Sequence, residues 1–202
     1  MKTPNMLQSR RHRSRADEAI IFCLQKLEFD TVLDICCGDG FHSDVFKESG
    51  KKVTSVDHTG DYADHKGVYQ SIDFEPHDLT WCSKALEHQL NVHDFLKKVR
   101  RETKVGGYTC MTVPPLKHDI TGGHVTLWNA GLLLYNLVLA GFDCSNAHIK
   151  TYRYNISVVA QAADFELPPL NYDLGDIELL KPWLPWFCEE PFDGFIMDYN
   201  WD

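Results

Sequence analysis

A chain of 202 residues, 44% hydrophobic and 24% charged, is long enough for one domain with a real core and too evenly mixed for a disordered or fibrous protein. Its longest apolar run, Leu132 to Phe142, is interrupted by Asn136 and falls far short of the roughly 20 residues a membrane span needs. The net charge of −9 argues against a long polyanion, nucleic acid included, as a partner.

Residues 1–15 carry Lys2, Arg10, Arg11, Arg13 and Arg15 with no acid and are read as a basic arm. Ile20, Ile21, Leu24 and Leu27 recur at helical spacing and predict a helix over residues 16–27. The strand "TVLDIC" follows, then a turn with Gly38 and Gly40, a helix from about residue 42 to 49, and the strand "KVTSVD". "GVYQSI" and "LTWCS" read as further strands. Val92, Phe95, Leu96 and Val99 share a helical face opposite Lys97, Lys98 and Arg100, ahead of the strand "GGYTCMTV". This alternation predicts a parallel sheet covered by helices on both faces. The loop "PPLKHDITGGH" leads to an apolar helix over residues 127–140, and then to the strands "CSNAHIKTY" and "NISVVAQA". The short link at Arg153 suits a hairpin, so the last strand is expected to run antiparallel. The domain is expected to cover residues 16–163. Residues 164–202, with ten acids against the single base Lys181, form an aromatic-rich extension expected to pack on it. The seven cysteines are odd in number and scattered in apolar segments, as buried thiols of a reducing, cytoplasmic compartment would be.

In such a sheet, ligands gather beyond the carboxyl ends of the strands, which directs attention to the turn after Cys37. A dinucleotide fingerprint needs a third glycine where Ser43 stands. Asp34 and Asp39 would repel a pyrophosphate and attract an ammonium or sulfonium group; opposite charges at about 4 Å gain on the order of 4 kcal/mol at an effective dielectric of 20. An NAD(P)-dependent oxidoreductase is disfavoured on both counts.

The ordered set "VLDICCGDG", "VTSVDH", "SIDFEP", "TWCSKALEH" and "VGGYTCMTVPP" resembles the class I S-adenosylmethionine-dependent methyltransferases, especially the small-molecule group that includes quinone-biosynthesis enzymes. The resemblance, over about residues 30–160, implies an α/β, Rossmann-like three-layer sandwich with a mostly parallel seven-stranded sheet and an antiparallel last strand. It implies S-adenosyl-L-methionine as cofactor, its methionine part held by Asp34, Cys36, Gly38, Asp39 and Gly40. Asp57, followed by His58, would bind the ribose; Asp73 and Phe74 would address the adenine; Ser83, Lys84 and Leu86 would close over the cofactor. Two residues depart from the family pattern: Cys36 replaces its first glycine, and His42 stands near its last small position.

Methyl transfer needs alignment above all, and a hydroxyl acceptor also gains from a base. His88, His118 and His124 are the candidate catalytic residues, with Glu87 as a substrate contact or loop support, and Gly122 and Gly123 loosen the loop enough for a lid. No metal site is expected, since His118, Asp119 and His124 lack strict ligand spacing. The expected activity is methyl transfer to oxygen or nitrogen of a small-molecule acceptor. The rival expectation is a catalytically degenerate, methyltransferase-like binding or scaffold protein.

Overall fold

The computed structural model describes residues 16–202; the basic arm expected over residues 1–15 lies outside them. Helix α1 (Asp17–Lys26) carries Asp17 and Glu18 in its first turn and Lys26 in its last, as its dipole favours. There follow β1 (Thr31–Ile35), α2 (Phe41–Glu48), β2 (Lys52–Asp57), β3 (His65–Lys66), β4 (His77–Ser83), α3 (Val92–Arg101) and β5 (Thr103–Val113). Then come α4 (Ala130–Ala140), β6 (Phe142–Tyr152), β7 (Asn155–Ala162), α5 (Asp176–Leu180) and β8 (Asp198–Tyr199).

The strands form one eight-stranded sheet in the order β3-β2-β1-β4-β5-β7-β6-β8. β1 to β5 pair in parallel, while β7 runs antiparallel between β5 and β6. The chain winds outward from β1 in one direction through β2 and β3, and in the other through β4 and β5. The switch point, where ligands bind in such sheets, therefore lies between β1 and β4.

Alternation along β1 builds both cores. Leu33 and Ile35 face Phe95, Leu96 and Val99 of α3 and Leu133, Leu134 and Leu137 of α4. Val32 faces the other layer, with Ile20 and Phe22 of α1, Phe46 of α2 and Trp81 of β4. Asn91 caps α3 by accepting from the Asp94 amide, and Asn129 caps α4 by accepting from the Leu132 amide. The second cap explains why the helix expected from residue 127 starts at Ala130.

Two elements differ from expectation. The segment "GVYQSI" is not a strand: Tyr69–Ser71 is one 3₁₀ turn, because the Tyr69 hydroxyl donates to Glu102 at 2.7 Å and the Phe74 amide to the same carboxylate at 3.1 Å. The third strand is His65–Lys66 instead. An eighth strand comes from the C-terminal segment, where Tyr199 and Asp198 pair antiparallel with Ile149 and Lys150 of β6. Leu180, Leu184, Cys188 and Ile196 of the same segment are buried in the α3/α4 core. The Gly131 amide donates to the Gly194 carbonyl, and a β-carbon on Gly131 would fall 2.6 Å from the Gly194 α-carbon, so the segment crosses the start of α4 in direct backbone contact.

Candidate active site

Beyond the carboxyl ends of β1, β2 and β4 lies an open cleft of about 840 Å³, a size suited to a cofactor. Its walls include Cys36, Gly38, Asp57, Tyr69, Lys84 and His88. An adjoining cavity of about 320 Å³ shares Cys36, Gly38 and Lys84 and adds Asp39, His42 and Ser83.

The turn after β1 requires left-handed backbone at three places: Cys36 (φ 59°), Gly38 (φ 57°) and Gly40 (φ 75°). Glycine takes this conformation freely, whereas a side chain there costs roughly 1–2 kcal/mol, so Cys36 occupies a position whose geometry asks for glycine. A β-carbon on Gly38 would have open space around it, whereas one on Gly40 would sit 3.1 Å from the Tyr62 β-carbon. The bare backbone at Gly38 thus leaves room for a ligand to approach.

Asp57 organises this floor. Its Oδ1 accepts from the Thr59 amide (2.8 Å), the Thr59 hydroxyl (3.1 Å) and the Gly60 amide (3.0 Å), and its Oδ2 from the Gly38 amide (3.0 Å). Burial pushes the carboxyl up, but the hydrogen bonds from Thr59, Gly38 and Gly60 outweigh it and hold the group ionised below the usual range. Oδ1 is saturated. Oδ2 retains room for one more donor, so a ribose can find one strong acceptor here, not the two-oxygen grip a free carboxylate would give. His58 beside it is exposed and also lines the cleft.

Four expected cofactor contacts lie elsewhere. Asp34 is 1% exposed and accepts from the Ser43 hydroxyl at 2.6 Å; burial pushes its carboxyl up to about 7, against which the Ser43 hydrogen bonds pull. It braces the start of α2 and is off the cleft wall. Asp73 has its side chain 89% exposed and is drawn away by Lys98 (3.2 Å) and Arg101 (3.1 Å). Phe74 packs between His65 and Tyr69, behind the wall that Tyr69 forms. Leu86 is buried in the core. Tyr69 and Gln70, which the sequence did not single out, line the cleft where Asp73 and Phe74 were expected.

The other side of the site is built from the Ser83–His88 segment and the loop after β5. The Lys84 amide donates to the Thr112 carbonyl, and its amine reaches the Tyr154 carbonyl at 2.5 Å and lies over the Tyr154 ring. Burial lowers that amine to about 8, against the pull of Glu87. The amides of Val125 and Thr126 donate to the Glu87 carbonyl at 2.9 and 3.3 Å, stitching the loop to the segment. His124 is thereby brought to His88, the rings edge to face at 5.1 Å between centroids. His88 Nδ1 lies 2.7 Å from the Gly123 carbonyl, which can only accept, so in the neutral ring Nδ1 carries the proton and Nε2 the lone pair. His124 also lines a second cavity of about 160 Å³ with Pro114, Lys117 and Tyr154. His118 is exposed and lines neither cavity, so of the three expected histidines the structure assembles two.

A parallel sheet with a reversed β7, a left-handed turn after β1 and an acid ending β2 define the class I, Rossmann-like methyltransferase fold, here with one strand more than the seven expected. A family model described as a methyltransferase domain matches residues 7–168, and the chain belongs to that family of S-adenosylmethionine-dependent class I methyltransferases. A malonyl-acyl-carrier-protein O-methyltransferase of Salmonella typhimurium is 28% identical over 108 residues, 47% of this chain and 43% of that relative, so the matched region spans less than half of its length. Among solved structures, the 1,6-didemethyltoxoflavin-N1-methyltransferase of Burkholderia thailandensis, with 1,6-didemethyltoxoflavin and S-adenosylhomocysteine bound, superposes with a TM-score of 0.61 at 17% identity, covering 73% of this chain and 77% of that one. A SAM-dependent methyltransferase of Archaeoglobus fulgidus gives 0.59 at 16% identity, covering 72% and 90%. At these identities the structural likeness speaks for the fold.

Proposed function

We propose that the chain is a cytoplasmic enzyme that moves a methyl group from S-adenosylmethionine to an oxygen or nitrogen of a small-molecule acceptor. The observation that carries this reading is that one cleft at the switch point is lined both by Asp57, with its hydrogen-bonded floor, and by His88, whose Nδ1 is held at the Gly123 carbonyl. The residues present fit the cofactor: open space over Gly38, one free acceptor position on Asp57 Oδ2, and the aromatic side of Tyr69. When bound, the cofactor supplies an electrophilic methyl on a sulfonium.

The chain's own residues do the rest. Gly38 lets the ligand approach the backbone, Asp57 receives a hydroxyl, and Tyr69 with Val68 and Leu90 offers apolar contact. His88 and His124, held together by the loop stitched to Glu87, stand where an acceptor would be aligned. Among the described residues no helix is long and apolar enough to cross a membrane, and all seven cysteines are free thiols, which supports a reducing setting. Two of the three proteins named above are an O-methyltransferase and an N1-methyltransferase. Turnover of S-adenosylmethionine to S-adenosylhomocysteine, followed across hydroxylated and amine acceptors, tests the reading. Acceptor-dependent product supports it, and cofactor binding with no turnover on any acceptor favours the scaffold alternative.

A further inference from the structure

The Glu87, His88 and His124 cluster holds more than a base requires. The carboxylate of Glu87 and one ring nitrogen from each histidine lie within 4.8 Å of one another. Glu87 is 1% exposed, yet its Oε2 has no hydrogen-bond partner among the described residues. A buried carboxylate oxygen left unpaired is costly and calls for a counterpart. Lys84 does not supply one, since its amine is engaged with the carbonyl and ring of Tyr154. His88 is oriented as a ligand histidine is, with one ring N–H given to a backbone carbonyl and the other nitrogen left as a donor of its lone pair. The backbone bonds from Val125 and Thr126 to Glu87 fix the spacing of the three groups, although His124 stands 36 residues beyond His88.

We propose that Glu87, His88 and His124 bind one divalent transition-metal cation, with positions left open for an oxygen or nitrogen of the acceptor. Two imidazoles and a carboxylate suit zinc, manganese, iron, cobalt or nickel and not magnesium or calcium, which prefer oxygen ligands throughout. Three protein ligands are the pattern of a site that keeps a coordination position for substrate. The location agrees: His88 is on the wall of the large cleft and His124 on that of the 160 Å³ cavity, so a cation between them stands where the two spaces meet. Taken with the methyltransferase reading, on which its role rests, the cation would orient the acceptor and lower the pKa of a coordinated hydroxyl.

The full chain, stripped with a chelator, is titrated with Zn²⁺ by calorimetry and with Co²⁺ by visible absorption. Wild type is compared with Glu87→Gln and His124→Ala, and S-adenosylhomocysteine affinity is measured separately on all three. The expected result is one cation per chain with Kd below about 10 μM, weakened roughly 10- to 100-fold in each variant, while S-adenosylhomocysteine binds within about threefold of wild type. Circular dichroism confirms folding; if Glu87→Gln unfolds, His124→Ala carries the comparison. No uptake by wild type at about 1 mM cation, or uptake undiminished by the substitutions, overturns the proposal. Uptake lost in the variants with no S-adenosylhomocysteine binding by any of the three upholds the cation site and counts against the methyltransferase reading.

Discussion

Asp34→Asn tests whether the acid at the end of β1 is a buried brace. In the folded chain its carboxyl is pushed up to about 7 by burial, from an ordinary value of 3.8. Between those values the unfolded chain releases the proton while the folded chain keeps it. The stability this group contributes is therefore complete below about pH 4, falls as pH rises toward 7, and is absent above. At about 1.36 kcal/mol per unit the whole effect is on the order of 4 kcal/mol, of which roughly 3 falls between pH 5 and pH 8. Asparagine keeps an oxygen for the Ser43 hydroxyl and has nothing to titrate. Urea unfolding of both proteins at pH 5 and pH 8 should show the variant gaining roughly 3 kcal/mol on wild type across that interval. Carboxyls held low, such as Asp57 and Asp78, act on both proteins and cancel in the difference. A difference constant within about 0.5 kcal/mol would refute the protonated, buried Asp34.

Gly40→Ala, at φ 75° and with its new β-carbon 3.1 Å from that of Tyr62, should cost roughly 1–2 kcal/mol in chemical denaturation; an unchanged midpoint would contradict the left-handed turn. Lys98→Ala removes the buried partner of Glu102, leaving that carboxylate with the Tyr69 hydroxyl and Phe74 amide alone, and should cost about 3–5 kcal/mol. Combining it with Glu102→Gln should recover part of the loss, and a purely additive double variant would show that the pair is not coupled.

The parallel sheet and its helices were readable from the sequence because local signals carry them: alternating residues in β1 and the apolar stripe Val92, Phe95, Leu96 and Val99 in α3. What escaped was decided by partners far along the chain. Tyr69 is turned out of a strand by Glu102, 33 residues on, and Asp73 is pulled from the cleft by Lys98 and Arg101, 25 and 28 residues on. Asp34 displays its charge in the sequence but not its burial beneath α2, so the expected pair of exposed carboxylates at the turn reduces to Asp39. The place of Asp57 on the cleft wall was legible because the end of β2, next to the switch point, is set by the fold itself. Glu87 and His88 are adjacent in "LEH", but the third member of their cluster arrives only through the loop bonds to the Glu87 carbonyl.

The central claim is that the cleft over Gly38 and Asp57 is a cofactor site for S-adenosylmethionine. Calorimetric titration of wild type and Asp57→Asn with S-adenosylhomocysteine and with NAD(H) tests it most directly. The substitution sets an amide NH₂ against either the Gly38 amide or the Thr59 and Gly60 amides, and the loss of one charge-assisted hydrogen bond, about 1.5–3 kcal/mol, predicts affinity at least tenfold weaker. Micromolar S-adenosylhomocysteine binding in wild type, weakened to that degree in the variant and with no NAD(H) binding, is the predicted result. NAD(H) binding without S-adenosylhomocysteine binding, or affinity indifferent to Asp57, would contradict it.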